Sequence, residues 1–266
     1  MPMTPGSPLI SIILPVYNGE AFLAQALDSV LRQSYRPIEI VVINDGSIDG
    51  TASIVQHYAD SIYPAIVHHV QPNRGLPASL NQGLELAAGE WITFIDADDC
   101  WADNKLALQT PHLAADPALA VVWGAIQMFA IGADSQRIIL GAPWHGTNLS
   151  SGLFRRSVFN LVGNFDATLA HGDDFDWYLR LRSHTEIRQI MLPEIALWYR
   201  YHGNNLWLGQ PDAFQQNLQV IRNHVNRRRA ETASLTAGND VGMGGAAAWP
   251  DHGTGVLRKG VPGAAQ

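Results

Sequence analysis

Between residues 8 and 100, short apolar runs alternate with stretches of helical periodicity. "LISIILPVYN" is almost wholly apolar and stops at Pro15, the pattern of a buried strand. "GEAFLAQALDSVLRQS" follows, with Phe22, Leu23, Ala26, Leu27, Val30 and Leu31 at helical spacing. "PIEIVVINDGS" is a second buried strand ending at Asp45 and Gly46. "DGTASIVQHYAD" is a helix with Asp49 or Thr51 as its N-cap. "AIVHHV", "LPASLNQGLELAA" and "GEWITFIDADD" continue as strand, helix and strand. Strands of this kind must be covered on both faces, and helices between them supply the cover. The pattern therefore requires an α/β fold built on a parallel sheet. Ligands of such sheets bind at the carboxyl ends of the strands, beside a topological switch point. Asp45 and the cluster Asp96, Asp98 and Asp99 all fall at strand ends, so they are expected to share one crevice.

The cluster itself raises a question of charge. In "TFIDADDCW" an apolar strand runs straight into three carboxylates, which repel one another and resist ionising together. Something positive is expected beside them. Asp96-x-Asp98 projects two oxygen ligands the same way, and hard cations such as Mg²⁺ or Mn²⁺ take one or two carboxylates plus substrate phosphate oxygens. A solvated turn followed by a helix cap is the plainer alternative. Placement after a buried strand, with a second strand-end acid at Asp45, favours the metal.

Beyond residue 100 the pattern loosens. Residues 103–116 read as a helix, 119–128 and 136–141 as strands, "RSVFNLVGNFD" and "DDFDWYLRLRS" as short helices, and "IRQIMLPEIALWYRYH" as a strand. Residues 211–230 read as a helix ending in Arg227, Arg228 and Arg229. The stretch 233–266 holds eight Gly and seven Ala with little periodicity and is expected to be a disordered tail. The division is a nucleotide-binding half (8–100), a less regular half of the same domain (101–232), and the tail (233–266).

Composition excludes several classes. The formal net charge of −7 argues against a general nucleic-acid binder. A single cysteine, Cys100, rules out an internal disulfide framework and a thiolate zinc site. No basic leader with a long apolar core opens the chain, and no apolar run approaches the roughly 18 residues of a membrane span. A cytoplasmic setting is therefore expected, with the inner face of the membrane as a variant. Arg222 and Arg227–Arg229 read as a solvated face that favours a helix C-terminus, with weak attraction to anionic lipid as the alternative.

Four blocks together resemble family 2 glycosyltransferases of the GT-A fold: "SIILPVYNGEAFLAQALDSVLRQSYRPIEIVVINDGSIDGT", "NRGLPASLNQGLELAAGEWITFIDADD", "HGDDFDWYLRL" and "WYRYHGNN". They stand in the family's order and cover residues 9–205. The resemblance implies a GT-A, Rossmann-like nucleotide-binding sheet with helices on both faces, joined to a smaller acceptor-binding half. It also implies an inverting enzyme that moves a sugar from a nucleotide-diphosphate donor to an acceptor hydroxyl, in polysaccharide or other glycoconjugate synthesis.

The resemblance further assigns roles. Pro15 and Tyr17 would line the nucleobase pocket, with Tyr17 offering a flat face. Asp45 would accept a hydrogen bond from the base, which suits the N–H of uracil or thymine and hence a UDP- or dTDP-sugar. Asp96 would hold ribose or sugar hydroxyls. Asp98 would hold Mn²⁺ or Mg²⁺ bridging the diphosphate, with His202 as a second approach to the metal. Arg74 would add positive charge near the phosphates, a surface arginine being the equal alternative. The acidic pair before a helix is usually Glu-Asp in the family and is Asp173-Asp174 here. The second acid is the catalytic base, which points to Asp174, and an ordinary Asp is ionised near neutral pH without tuning. Helix capping by both acids is the structural alternative.

Two rival readings stand beside this one. One is a noncatalytic sugar-nucleotide-binding module. The other is an aspartate-nucleophile phosphatase, which also uses D-x-D but would place Thr or Val where Cys100 stands and leave "DDFDWYLRL" unexplained.

Overall fold

The computed structural model describes residues 6–61, 65–169, 172–202, 205 and 218–230. The strand and helix alternation is present as β1 (Ile10–Val16), α1 (Leu23–Leu31), β2 (Ile38–Asn44), α2 (Thr51–Ser61), β3 (Ile66–Val70), α3 (Leu76–Leu86) and β4 (Trp91–Phe94). β5 (Cys100–Trp101), α4 (Lys105–Ala115), β6 (Leu119–Ile131), β7 (Arg137–Trp144), a 3-10 turn (Leu149–Ser151), β8 (Gly152–Arg155), α5 (Ser157–Val162), α6 (Asp173–Ser183) and β9 (Arg188–Arg200) follow. Residues 218–230 are helical; the remainder of the helix expected over 211–230, and the tail 233–266, lie outside the described residues.

Among the described residues all nine strands join one sheet in the order β3-β2-β1-β4-β8-β6-β9-β5, with β7 paired to β6. β1 pairs in parallel with β2 on one side and β4 on the other, so the strand order reverses at β1. That is the switch point where a parallel sheet opens a crevice. The expected parallel sheet is confined to this half. β8 enters antiparallel between β4 and β6, β7 and β5 pair antiparallel to β6 and β9, and only β6 with β9 returns to a parallel pairing. The sheet is therefore mixed. β8 and the two-residue β5 are too short for a period-2 signal, which is why the sequence does not announce them.

Alternate side chains of the sheet feed two cores. Ile10, Ile12, Leu14 and Val16 pack with α1, with Val55 of α2 and with Leu106 and Leu113 of α4. Ile13, Val41, Ile43 and Phe94 pack on the other face with Leu80 of α3, Val158 and Phe159 of α5, and Trp177 and Leu181 of α6. Trp177 is fully buried and stacks on Phe159 at 5.0 Å between ring centroids. Its indole N–H donates to the carbonyl of Gly163 at 3.0 Å. Truncating a buried Trp costs about 3–5 kcal/mol, so this side chain pins α6, and with it Asp173 and Asp174, to the sheet. Among the described residues no helix is long and apolar enough to cross a membrane.

Candidate active site

The loops that leave β1 and β2 are locked to one another. The backbone N–H groups of Asn18, Gly19 and Glu20 donate to Ser47 Oγ, Thr51 Oγ1 and Asp49 Oδ2 at 2.9, 2.9 and 3.0 Å. In return Ile48 N–H donates to Asn18 Oδ1 and Gly50 N–H to Glu20 Oε2, each at 2.9 Å. Asp49 Oδ1 also accepts from Thr51 N–H at 3.0 Å at the start of α2. This cross-bonding holds Pro15, buried in β1, and Tyr17, about half exposed, at one end of a cleft. The cleft encloses about 640 Å³, within the range of small-molecule sites.

Asp45 lies buried on the cleft wall. Its Oδ1 accepts from Gln71 Nε2 at 2.7 Å and from Arg74 N–H at 2.9 Å, and its Oδ2 accepts from Gly75 N–H at 2.8 Å. The carboxylate thus builds the 71–75 loop as well as facing the cleft. A carboxylate has about four acceptor sites, and the described residues take three of them, which leaves one on Oδ2. Gly46 makes this close approach possible: its φ is +79°, and a Cβ there would stand 2.8 Å from the backbone nitrogen of Asn73. Arg74 reaches Asp45 through its backbone N–H only. Its side chain is exposed, and Asn73 and Gly75, not Arg74, line the cleft.

At the carboxyl end of β4 the acids diverge. Asp96, half-buried in the cleft, accepts from Ser150 Oγ at 3.3 Å. Burial, then the charges of Asp98 and Asp174, push its carboxyl up to about 7. Asp99 turns inward and is buried; its Oδ1 accepts from the backbone N–H of Arg200 at 2.8 Å. Burial first, then Asp98 and Asp96, raise it well above the ordinary range, and Arg200 opposes them. The expected positive charge is therefore present in the protein itself. Arg200 is 2% exposed; its Nε donates to the Asp98 carbonyl at 2.6 Å and its Nη2 to Gln25 Oε1 at 2.8 Å. Its guanidinium also lies 4.8 Å from the ring centres of Phe22 and Phe129. The sequence marks Arg200 only by its place two residues before His202 in "WYRYH".

Asp98 faces the cleft, and its Oδ2 lies 2.9 Å from His202 Nε2. His202 is held by the 2.6 Å bond from its own backbone N–H to Asn205 Oδ1 and by ring contact with Phe22 at 5.0 Å. Among the described residues no three His, Cys, Asp or Glu side chains form a ready metal cage. The pair nonetheless fits a small divalent cation: two ligands each about 2.1 Å from an octahedral ion stand roughly 3 Å apart, and such ions keep positions for substrate oxygens.

Asp173 and Asp174 open α6 after Gly172, whose φ of +76° admits the turn. Carboxylates in a first helical turn are favoured by the helix dipole. Both line the cleft. Asp174 is half-buried and accepts from Phe175 N–H at 2.7 Å. Burial nevertheless lifts its carboxyl to about 6, which corrects the expectation of an untuned Asp. Asp173 is buried, and burial followed by Asp174 lifts it to about 7.

A buried lysine ties α4 to β4 and to the end of the 3-10 turn. Lys105 is fully buried, and its Nζ donates to Gln109 Oε1 at 2.8 Å and to Thr93 Oγ1 and the Gly152 carbonyl at 3.0 Å. It also sits 4.5 Å from the Trp101 ring centre. Gln109 Nε2 carries the network on to the Ser151 carbonyl at 2.8 Å. This network secures the turn that presents Ser150 to Asp96.

A switch-point crevice walled by Asp45, by the acids after β4 and by the carboxyls that open α6 fits the GT-A fold class, and solved structures share that fold. The chain is similar to Staphylococcus aureus TarS 1–349 in complex with UDP-GlcNAc, with a TM-score of 0.63 and 18% identity over 79% of this chain and 65% of that one. It is similar to the mannosyltransferase PcManGT of Pyrobaculum calidifontis in complex with GDP-Man and Mn²⁺, with a TM-score of 0.61 and 22% identity over 86% and 66%. The chain belongs to glycosyl transferase family 2, whose model matches residues 11–159. An uncharacterized glycosyltransferase of Rickettsia typhi is 33% identical over 196 residues, 66% of this chain and 59% of the relative. One of Haemophilus influenzae is 45% identical over 102 residues, 38% and 41% respectively. The chain thus spans about two to three fifths of the length of these curated relatives.

Proposed function

We propose that the protein is an inverting glycosyltransferase that moves a sugar from a UDP- or dTDP-sugar to an acceptor hydroxyl, in polysaccharide or other glycoconjugate synthesis. The observation that carries this reading is the shared cleft of Asp174 and the Asp98–His202 pair. One provides a base on α6; the other provides a diphosphate site at the end of β4. Family membership supports sugar transfer, and the relatives with UDP-GlcNAc and GDP-Man support a nucleotide-sugar donor.

In this reading Pro15 and Tyr17 flank the nucleobase, and the open acceptor site on Asp45 Oδ2 takes its N–H. Asp96, whose carboxyl burial lifts to about 7, holds sugar or ribose hydroxyls. Asp98 and His202 would hold Mn²⁺ or Mg²⁺, which offsets charge building on the departing diphosphate. Asp174 removes the acceptor proton as the hydroxyl oxygen bonds to the anomeric carbon and the diphosphate leaves. A carboxyl with a pKa of about 6 is mostly ionised at pH 7 and is a better base than an ordinary Asp. Arg74, outside the cleft lining, is proposed at most as a long-range charge near the phosphates.

The test is product stereochemistry with a matched variant. An α-linked donor should give a β-linked product, read by proton NMR. Asp174→Asn should lose about 10²–10⁴ in turnover while UDP affinity holds. Retained configuration, or normal turnover by Asp174→Asn, overturns the proposal.

A further inference from the structure

Ser150 is 1% exposed and does not line the cleft, yet its hydroxyl donates to Asp96 Oδ2 at 3.3 Å. Both ends of this contact are held in place. Thr93, on the strand that leads to Asp96, donates from Oγ1 to the Gly152 carbonyl at 2.6 Å. Gln109 of α4 donates to the Ser151 carbonyl at 2.8 Å. Asn148 closes the turn from the cleft side: its Oδ1 accepts from Ser150 N–H at 2.8 Å, and its carbonyl accepts from Ser151 Oγ at 2.9 Å.

With Oδ1 committed to the turn, the amide of Asn148 has its NH₂ group left to give. Asn148 lines the cleft together with Asp96. Burial, then the charges of Asp98 and Asp174, oppose the charged form of Asp96, and hydrogen bonds from Ser150 and Asn148 favour it. Two donors from one turn therefore meet one carboxyl. They occupy two of its roughly four acceptor sites and leave the others to a ligand in the cleft. A carboxyl free to rotate would have to be ordered each time a ligand bound, and ordering a side chain costs affinity. The turn does that ordering in advance.

We propose that Ser150 and Asn148 are positioning residues for donor recognition: the 148–152 turn holds the Asp96 carboxyl in the orientation that accepts from hydroxyl groups of the nucleotide-sugar. Ser150, outside the cleft lining, acts only through Asp96. This inference rests on Asp96 being the acid that holds donor hydroxyls.

The test is a double-mutant cycle in full-length protein: wild type, Ser150→Ala, Asp96→Asn and the double variant. Asn148→Asp is the second probe, because it keeps the acceptor for Ser150 N–H and removes the amide donor. Calorimetry with Mn²⁺ compares UDP with UDP-glucose and GDP with GDP-mannose, and the pair that wild type binds more tightly is carried through. Ser150→Ala should weaken sugar-nucleotide binding about three- to tenfold, the worth of one hydrogen bond, and Asn148→Asp should weaken it as well. In the Asp96→Asn background the Ser150→Ala change should have less than about a twofold effect, since the coupling is gone. An equal loss for the bare diphosphate places the hydroxyls on ribose, and a loss confined to the sugar-nucleotide places them on the sugar; both support the proposal. An equal Ser150→Ala loss with and without the Asp96 carboxylate overturns it. So does a lower melting temperature with unchanged affinity, which would make the turn structural only. Wild-type affinity in Asp96→Asn alone would overturn the parent reading of Asp96. A silent Ser150→Ala beside a weakened Asp96→Asn would overturn this inference and leave that reading standing.

Discussion

His202 and Asp98, 104 residues apart in the chain, meet with Nε2 2.9 Å from Oδ2. The contact ties the end of β9 to the turn after β4 and leaves both side chains facing the cleft. Metal binding would exchange this hydrogen bond for two coordinate bonds. Activity should vanish with a chelator and return with Mn²⁺ or Mg²⁺. Asp98→Ala should cut turnover far more than it lowers the melting temperature. His202→Ala should weaken Mn²⁺ binding, measured by titration with UDP present, by about tenfold or more. Full activity of Asp98→Ala in metal-free buffer would remove the metal from the mechanism.

Asp45 has two tasks, and its substitution should show both. UDP or dTDP should bind more tightly than ADP or GDP, and Asp45→Ala should erode that preference. The same change strips three hydrogen bonds from Gln71, Arg74 and Gly75. At about 1 kcal/mol or more for each bond to a charged group, the protein should also lose several degrees in melting temperature. Calorimetry of the four diphosphates with a parallel thermal melt separates the two losses. Equal binding of all four by wild type would count against the base contact.

The pH dependence follows from Asp174. The ionised form is the active base, so kcat/KM should rise with pH through about 6 and fall roughly tenfold per pH unit below it. Asp174→Asn should abolish that limb. A profile flat down to pH 4.5 would mean an untuned carboxylate.

Stability should run the opposite way. Asp96, Asp173 and Asp174 have folded pKa values of about 7, 7 and 6, above the unfolded value of about 3.9. Between these limits the folded chain binds more protons than the unfolded one, so ligand-free stability falls as pH rises from about 4 to 7. Asp173→Asn should therefore melt at or above wild type at pH 7.5, with the difference shrinking toward pH 5. A melting temperature that climbs steadily from pH 5 to 7.5 would contradict the burial of these acids.

Lys105 offers a test away from the chemistry. Lys105→Met keeps the volume and removes the donor shared by Thr93, Gln109 and Gly152. Leaving buried acceptors short costs about 2–4 kcal/mol in total, read as a lower urea midpoint at constant slope. An unchanged midpoint would show that the network adds nothing to the fold.

Local pattern alone determined the first half of the molecule. The runs that became β1 to β4, the stripes that became α1 to α3, and the placing of Asp45 and Asp96 at strand ends follow from periodicities of two to four residues, which any window of the chain displays. The position of Asp98, Asp174 and His202 on one cleft is different in kind. It depends on β9 returning beside β6 and on Trp177 seating α6 against the sheet. The mixed sheet was likewise decided by long-range pairing, since β8 slots between β4 and β6 with only a few residues to mark it. Charge and burial were settled last. Arg200 as the counter-charge of the acidic turn, the buried Lys105, the orphaned oxygen of Asp173 and the raised carboxyl of Asp174 all result from what tertiary packing places around each group. A titratable side chain carries its ordinary value in the sequence and acquires its working value only when neighbours distant in the chain exclude water from it.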